Sequence, residues 1–303
     1  MMRFKPVFIS MACLLMWGAA AMGMARAGGD LEQVMARGQL RHLGVPYANF
    51  ITGSGDGLDV ELVQGFAAQL GVTYVYVETD WAHVIVDLTG EQATARGDEV
   101  DISGTAPIRG DLVANGFTIL PWRQKIVSFS RPTFPTQVWL VTTAASTLTP
   151  IAPSGSTSTD IAAVKNQLGG ISVLGIANTC LDPSLYGIAA FGAAVTPFQG
   201  KLNELAPAVV SGVADATLLD VPDALIALDK WGGAVKVVGP ISGTQQMGVG
   251  FRKESPKLRE AFDRYLAAIW RNGTYQRLVQ KYYPAVFEYY PDFFDASRAA
   301  AAP

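Results

Sequence analysis

Apolar positions along this chain recur in two rhythms that alternate with one another. "LRHLGV" and "VTYVYVE" have the short, β-branched and aromatic character of strands. Between them "DVELVQGFAAQLG" carries Val60, Leu62, Val63, Phe66, Ala67 and Leu70 at helical spacing, and Gly71 stands where a helix stops. The chain therefore opens as a β-α-β unit. "WAHVIVDL" reads as a second helix and "DLVANGF" as a buried strand. The stretch between them, Thr89 to Gly110, is rich in Gly, Thr and Asp, and its length predicts an insertion or a functional loop. After the strand "VWLVTT" comes polar, turn-rich "AASTLTPIAPSGSTSTD", and then the alternation resumes. "GGISVLGIA", a helix from about Asp182, "AVTPF", "LNELAPAVVSG", "ADATLLD", "VPDALIALDKWG" and "VKVVGP" make a second α/β half. The last periodic segment starts a helix at Ser255-Pro256, keeps Leu258, Phe262, Leu266 and Ile269 on one face, and resumes as another helix after Gly273. "DASRAAAAP" lacks aromatic anchors, so 291–303 is expected to be a disordered tail.

The first 27 residues stand apart. Arg3 and Lys5 precede an apolar run, Val7 to Ala25, which ends in the small-x-small site Ala25-Arg26-Ala27 before Gly28-Gly29. This predicts a secretory signal peptide over 1–27, cleaved after Ala27, and a periplasmic mature protein. An uncleaved membrane anchor is the competing reading; the cleavage site and the glycines and alanines at the end of the run oppose it.

Composition narrows the function classes. Of 303 residues, 50% are hydrophobic and 16% charged, which suits two packed globular domains. Loss of Arg3, Lys5 and Arg26 with the signal leaves 20 basic against 26 acidic side chains, a surface that repels phosphate backbones and disfavours nucleic acid. Only Cys180 would remain, so no internal disulfide is expected. His42 and His83 have no His or Cys neighbour in sequence, so neither a metal nor a cofactor is predicted.

Four segments in order, from about residue 38 to 284, resemble the family 3 extracytoplasmic solute-binding proteins of polar amino acid ABC transporters. "GLDVELVQGFAAQLG" is similar to that family's Gly-aromatic-Asp-x-Asp signature, with Leu58 in the aromatic place and Glu61 as the second acid. "GDLVANGFTILPWRQKIVSFSRP" resembles its segment with an arginine separated by five residues from Phe-Ser-x-Pro, here Arg123 and Phe129-Ser130. "VVSGVADATLLD" resembles a strand that ends in an acid, and "GVGFRKESPKLREAFDRYLAAIWRNGTYQRLVQKYYP" resembles the closing strand and helix pair. The resemblance implies an α/β, two-lobed periplasmic-binding-protein-like (type II) fold with two hinge-crossing strands. Lobe 1 would be discontinuous, 28–142 plus 249–290, with 143–248 as lobe 2. It also implies a monomer that closes on a small-molecule ligand, an amino acid or organic acid, and hands it to a membrane ABC permease.

Within that frame Arg123 is the candidate anchor for a ligand carboxylate, since its planar fork offers two parallel donors and keeps its charge. Its alternative is a core-edge arginine paired with an aspartate. "GTAPIR" offers a rival in Arg109, which lacks the five-residue spacer. Thr118 could add a hydroxyl, and Gly116 after Asn115 allows close backbone approach. Leu120 stands where the family has a second Thr. Asp220 would meet an ammonium from the second lobe, although Asp220-Val221-Pro222 is also a helix N-cap pattern; the two roles are compatible. Thr179, in "GIANTC", is either a donor to a carboxylate or a plain turn residue. Cys180 beside it reads as a small buried hydrophobe. Tyr47 and Trp81 fall where the family places aromatics that enclose the ligand, with core packing as the alternative for Trp81. Besides capture and delivery, the resemblance leaves open a periplasmic cyclohexadienyl dehydratase-like enzyme and a ligand sensor of the same fold. No second carboxylate or His is placed by spacing beside Arg123, so non-catalytic binding is the expectation. Ligand identity is not legible, though "GVPY" at the end of the first strand lacks the acid that the family's binders of basic amino acids carry there.

Overall fold

The computed structural model describes residues 31–300. The signal peptide and cleavage site expected over 1–27 lie outside the described residues. Two five-stranded sheets carry the architecture. In the first, Gln39–Gly44 runs parallel to Thr73–Glu78 and to Leu112–Val113, while Gly250–Arg252 runs antiparallel between Leu112–Val113 and Val127–Phe129. In the second, Ser172–Gly175 runs parallel to Ala194–Pro197 and Ala216–Asp220, and Val138–Thr143 lies antiparallel between Ala216–Asp220 and Val235–Pro240. Two short strands, Phe134–Thr136 and Gln245–Met247, pair antiparallel with each other and carry the chain across and back. The result is the two-lobed α/β arrangement expected from the sequence. Val138–Thr143 falls in the second sheet, so the first crossing comes at Phe134–Thr136, a few residues before the boundary expected at 142.

Burial explains why these segments take these forms. The helix Leu58–Leu70 turns Leu58, Val60, Leu62, Val63, Phe66 and Ala67 inward and ends at Gly71, whose φ of 70° lets its N–H reach back to Ala67 and Ala68 carbonyls. The helices Pro256–Arg271 and Thr274–Tyr282 pack against Leu58–Leu70 and the first sheet; Phe66 meets Phe262 edge-on at 5.2 Å between ring centroids. A buried ion cluster ties the returning chain to the same sheet. Asp111 is fully buried and pairs with Arg37 at 2.5 Å, Arg41 at 2.8 Å and Arg252 at 3.7 Å. Burial alone would raise the Asp111 pKa, yet the Arg41 hydrogen bonds and the nearby guanidiniums hold it below the ordinary carboxylate value. Arg252 also donates to the Gly110 and Leu88 carbonyls, and the strand that carries it is paired at both edges, with Leu112–Val113 and Val127–Phe129.

Three expectations are corrected. Of the two readings of Thr89 to Gly110, an insertion or a functional loop, the structure excludes the loop. The stretch contains the antiparallel hairpin Glu91–Arg96 and Glu99–Thr105, turned at Gly97. Its half-buried positions are Ala93, Ala95, Val100 and Gly104, and two alanines and a glycine give the period-two pattern little hydrophobic contrast. The helix expected from Asp182 is instead two 3₁₀ turns, Pro183–Tyr186 and Ile188–Phe191, separated by Gly187 at a φ of 61°. The tail expected to be disordered forms the helix Pro291–Ala300. Its anchor lies just upstream of the alanines: Phe294 is buried and meets Phe287 at 4.3 Å and Trp270 at 6.0 Å. Residues 301–303 lie outside the described residues. Phe294→Ala should cost about 3–5 kcal/mol of stability in thermal or urea unfolding, whereas a surface-like cost below about 0.5 kcal/mol would show the helix contributes no packing.

Candidate functional site

The seam between the lobes gathers most of the residues singled out in sequence. Arg123 sits on the short helix Pro121–Ile126, started by Pro121 in its first turn, and only 2% of the residue is exposed. Its Nη1 donates to the Thr118 carbonyl at 3.0 Å and its Nη2 to the Asn178 carbonyl of the second lobe at 3.3 Å. Its Nε has no partner among the described residues, and no carboxylate there pairs with it. Aromatic faces surround the cation, with Phe117 at 4.3 Å, Trp122 at 5.4 Å and Trp81 at 5.9 Å from the guanidinium carbon. Burial lowers the Arg123 pKa to about 10, which still leaves a full positive charge at neutral pH. The alternative of an arginine paired with a protein aspartate belongs instead to Arg109. That residue binds Asp87 at 2.7 Å and the Glu78 carbonyl at 3.1 Å, and is half exposed.

The backbone around Arg123 is stitched to the crossing ribbon. Ile119 N–H donates to the Gln246 carbonyl at 2.8 Å, Gly248 N–H donates to the Phe117 carbonyl at 3.0 Å, and Thr118 bridges Met247. The Thr118 hydroxyl is buried without a partner among the described residues. Gly116 has a φ of 64°, and its N–H donates to the buried Asp59 at 2.7 Å. A Cβ on Gly116 would stand 2.7 Å from the Phe50 ring and 2.9 Å from that of Tyr47, so the close approach foreseen for Gly116 is to aromatic rings.

From the second lobe, Asp220 ends its strand and caps the helix Val221–Lys230, accepting the Asp223 N–H at 3.4 Å through Oδ1. Through Oδ2 it accepts the Tyr47 hydroxyl at 2.5 Å and the Cys180 thiol at 3.8 Å. The N-cap and a seam-facing role therefore coexist in one carboxyl group. Burial raises the Asp220 pKa to about 6, against the pull of the Tyr47 hydrogen bond. Burial and the neighbouring Asp220 push the Cys180 thiol up to about 12, which leaves it an unreactive small side chain. Tyr47 stacks on Phe50 and meets Trp81 edge-on, both at 5.8 Å, so Tyr47 and Trp81 share one aromatic cluster. Thr179 turns the other way. Its hydroxyl donates to the Ile176 carbonyl and accepts the Leu181 N–H at 3.0 Å, the plain turn role left open in sequence. Its neighbour Asn178, in left-handed conformation at a φ of 61°, supplies the carbonyl to Arg123 instead.

Sequence reading missed Asn178, Phe117 and Asp223. Asp223 is 7% exposed and stands one helical turn after Asp220 in "DVPD", where the capping pattern masked a second acid.

Comparison with known proteins adds the family context. The description "Bacterial extracellular solute-binding proteins, family 3" matches residues 100–285. Among solved structures, a mutant of ArgBP from T. maritima is similar at a TM-score of 0.66 and 23% identity, covering 84% of this chain and 99% of its own. An ABC uptake transporter substrate-binding protein from Streptococcus pneumoniae with bound histidine gives 0.68 and 19%, covering 85% and 97%. An ancestral amino acid-binding protein, a precursor of cyclohexadienyl dehydratase, gives 0.63 and 24%, covering 84% and 99%. These likenesses share the fold. Gly116→Ala should destabilise the protein by about 2–5 kcal/mol, from the left-handed backbone and from displacement of the Tyr47 and Phe50 rings; a melting curve matching wild type would show that the rings yield freely.

Proposed function

The chain belongs to the bacterial extracellular solute-binding proteins of family 3, and on that premise we propose that it captures an amino acid or similar small carboxylate-bearing ligand between its lobes. The observation that carries this reading is Arg123: a cation stripped of water, walled by aromatic rings, with its Nε free of any protein partner among the described residues. Burial of an unpaired charge is among the costliest arrangements a fold can hold. A ligand carboxylate on Nε and Nη2 would offset that cost with charge-assisted bonds, and the buried Thr118 hydroxyl, whose neighbour is the Cys180 thiol, is a further donor on the same segment. Asp220 faces the seam from the other lobe and supplies the acid that a ligand amine requires.

Closure follows from where these groups sit. Arg123 and Tyr47 belong to the first sheet's lobe, Asn178 and Asp220 to the second, and among the described residues the chain passes between the lobes at the two crossing strands. A ligand that touches both sides therefore favours the closed arrangement over the open one. The histidine-bound S. pneumoniae protein and the arginine-bound ancestral protein of this fold support an amino acid as the class. Delivery to an ABC permease, a periplasmic location and a monomeric state complete the reading. The inert Cys180 favours binding over nucleophilic catalysis.

A thermal-shift panel of amino acids, organic acids and amines identifies the ligand, since a compound at 100 times its dissociation constant stabilises by roughly 2.7 kcal/mol. Calorimetric titration of that compound against Arg123→Lys should show at least a tenfold loss of affinity, because lysine keeps the charge and loses the fork; equal affinity with an intact fold would refute the carboxylate anchor.

A further inference from the structure

Between the last helix and the crossing ribbon lies a cavity of about 430 Å³, and none of Arg123, Thr118, Tyr47 or Asp220 lines it. Its walls come from three places. The helix Pro256–Arg271 contributes Leu266 and Trp270, four residues apart on one face and both buried. The helix Pro291–Ala300 contributes Phe293, Ala296 and Ala300. Phe294 turns inward against Trp270, so this helix lines the cavity mainly with side chains too short to fill it. The third wall is Arg131, Pro132 and Gln246, on the segments that enter and return along the ribbon. Successive strand residues face opposite sides. Gln245 reaches the Tyr186 hydroxyl of the second lobe at 3.5 Å, and Gln246 looks the other way, onto the cavity.

The lining has one charge. Arg131 is its single ionisable side chain, and the guanidinium forms no ion pair among the described residues. Its Nη1 donates to the Ala300 carbonyl at 3.3 Å, which leaves Nε and Nη2 without a protein partner there. Asp263, whose charge Arg131 feels, accepts the Arg131 backbone N–H at 2.8 Å and pairs instead with Arg259 at 3.3 Å. A carboxylate can therefore take two parallel donors from Arg131. Leu266, Trp270 and Phe293 offer apolar and aromatic surface to the rest of the same molecule. No acid lines the cavity, so an ammonium brought into it would find no partner. The volume falls within the roughly 300–1,000 Å³ of small-molecule pockets.

We propose that this cavity is a second small-molecule site, separate from the cleft, for an amine-free carboxylate with an apolar body, its head on Arg131 and its body against Leu266, Trp270 and Phe293. The inference stands apart from the reading of Arg123. The occupant touches Gln246, whose carbonyl holds the Ile119 N–H at 2.8 Å, so the site lies against the same ribbon on which the lobes hinge.

Calorimetric titration with 3-phenylpropanoate and octanoate, each beside its primary amide, tests the site. Wild type should bind each acid saturably and about tenfold or more tightly than its amide, since only the acid makes charge-assisted bonds. Arg131→Gln should abolish that preference, and Arg131→Lys should keep part of it. Ala296→Trp, which fills the cavity from an exposed position, should weaken acid and amide alike. Arg123→Lys should retain the binding. Equal affinity for acid and amide in wild type, or an Arg131→Gln protein that still prefers the acid, would overturn the proposal. Loss of acid binding in Arg123→Lys would place the acid in the cleft and overturn it as well. Binding that emerges only when residues 301–303 are removed would assign the cavity to the chain's own end. No saturable binding tighter than about 1 mM would leave no second site at all.

Discussion

A guanidinium buried without a carboxylate partner among the described residues is the constraint around which this molecule is organised. Arg123 could exist in a folded protein as a solvated surface group or as half of an ion pair, and here it is neither. What makes its position tenable is partial compensation: two backbone carbonyls accept from it, and three aromatic rings present their faces. One of those carbonyls, that of Asn178, comes from the opposite lobe. The desolvation of Arg123 is thus coupled to lobe closure, and whatever pairs with Arg123 biases the hinge.

The same coupling appears on the acidic side. Tyr47, fixed by Phe50 and Trp81 in the first lobe, donates to Asp220 at the end of a strand in the second. The short segment that carries Thr118 and precedes Arg123 is hydrogen-bonded to Gln246 and Gly248 on the returning side of the crossing ribbon. Site and hinge therefore share backbone. Behind them, the Asp111 cluster ties the returning chain to the first sheet.

Much of this was legible in the sequence because period and spacing are local properties. The helix Leu58–Leu70, the strand Val138–Thr143 and the closing helix pair all follow from apolar rhythm with Gly or Pro at their ends. The five-residue spacer before Phe129-Ser130 distinguished Arg123 from Arg109, whose partner Asp87 is 22 residues away and could not be assigned from spacing. What was hidden depended on long-range packing. The hairpin after Thr89 only half-buries its alanines, which carry little hydrophobic signal, and the last helix is held by Phe294 rather than by its alanine-rich end. Thr179 was one residue from the group that matters, because the left-handed turn at Asn178 directs a carbonyl, not a hydroxyl, toward Arg123. Asp223 was obscured because an acid in the first turn of a helix ordinarily needs no explanation beyond the helix dipole.

A crystal structure of the protein with the tightest-binding compound from the panel bears most directly on the central claim. The account predicts a ligand carboxylate within hydrogen-bonding distance of Arg123 Nε and of the Thr118 hydroxyl, with both lobes in contact with the same molecule. A ligand bound elsewhere, with Arg123 Nε still unpartnered or satisfied by a protein carboxylate, would contradict it.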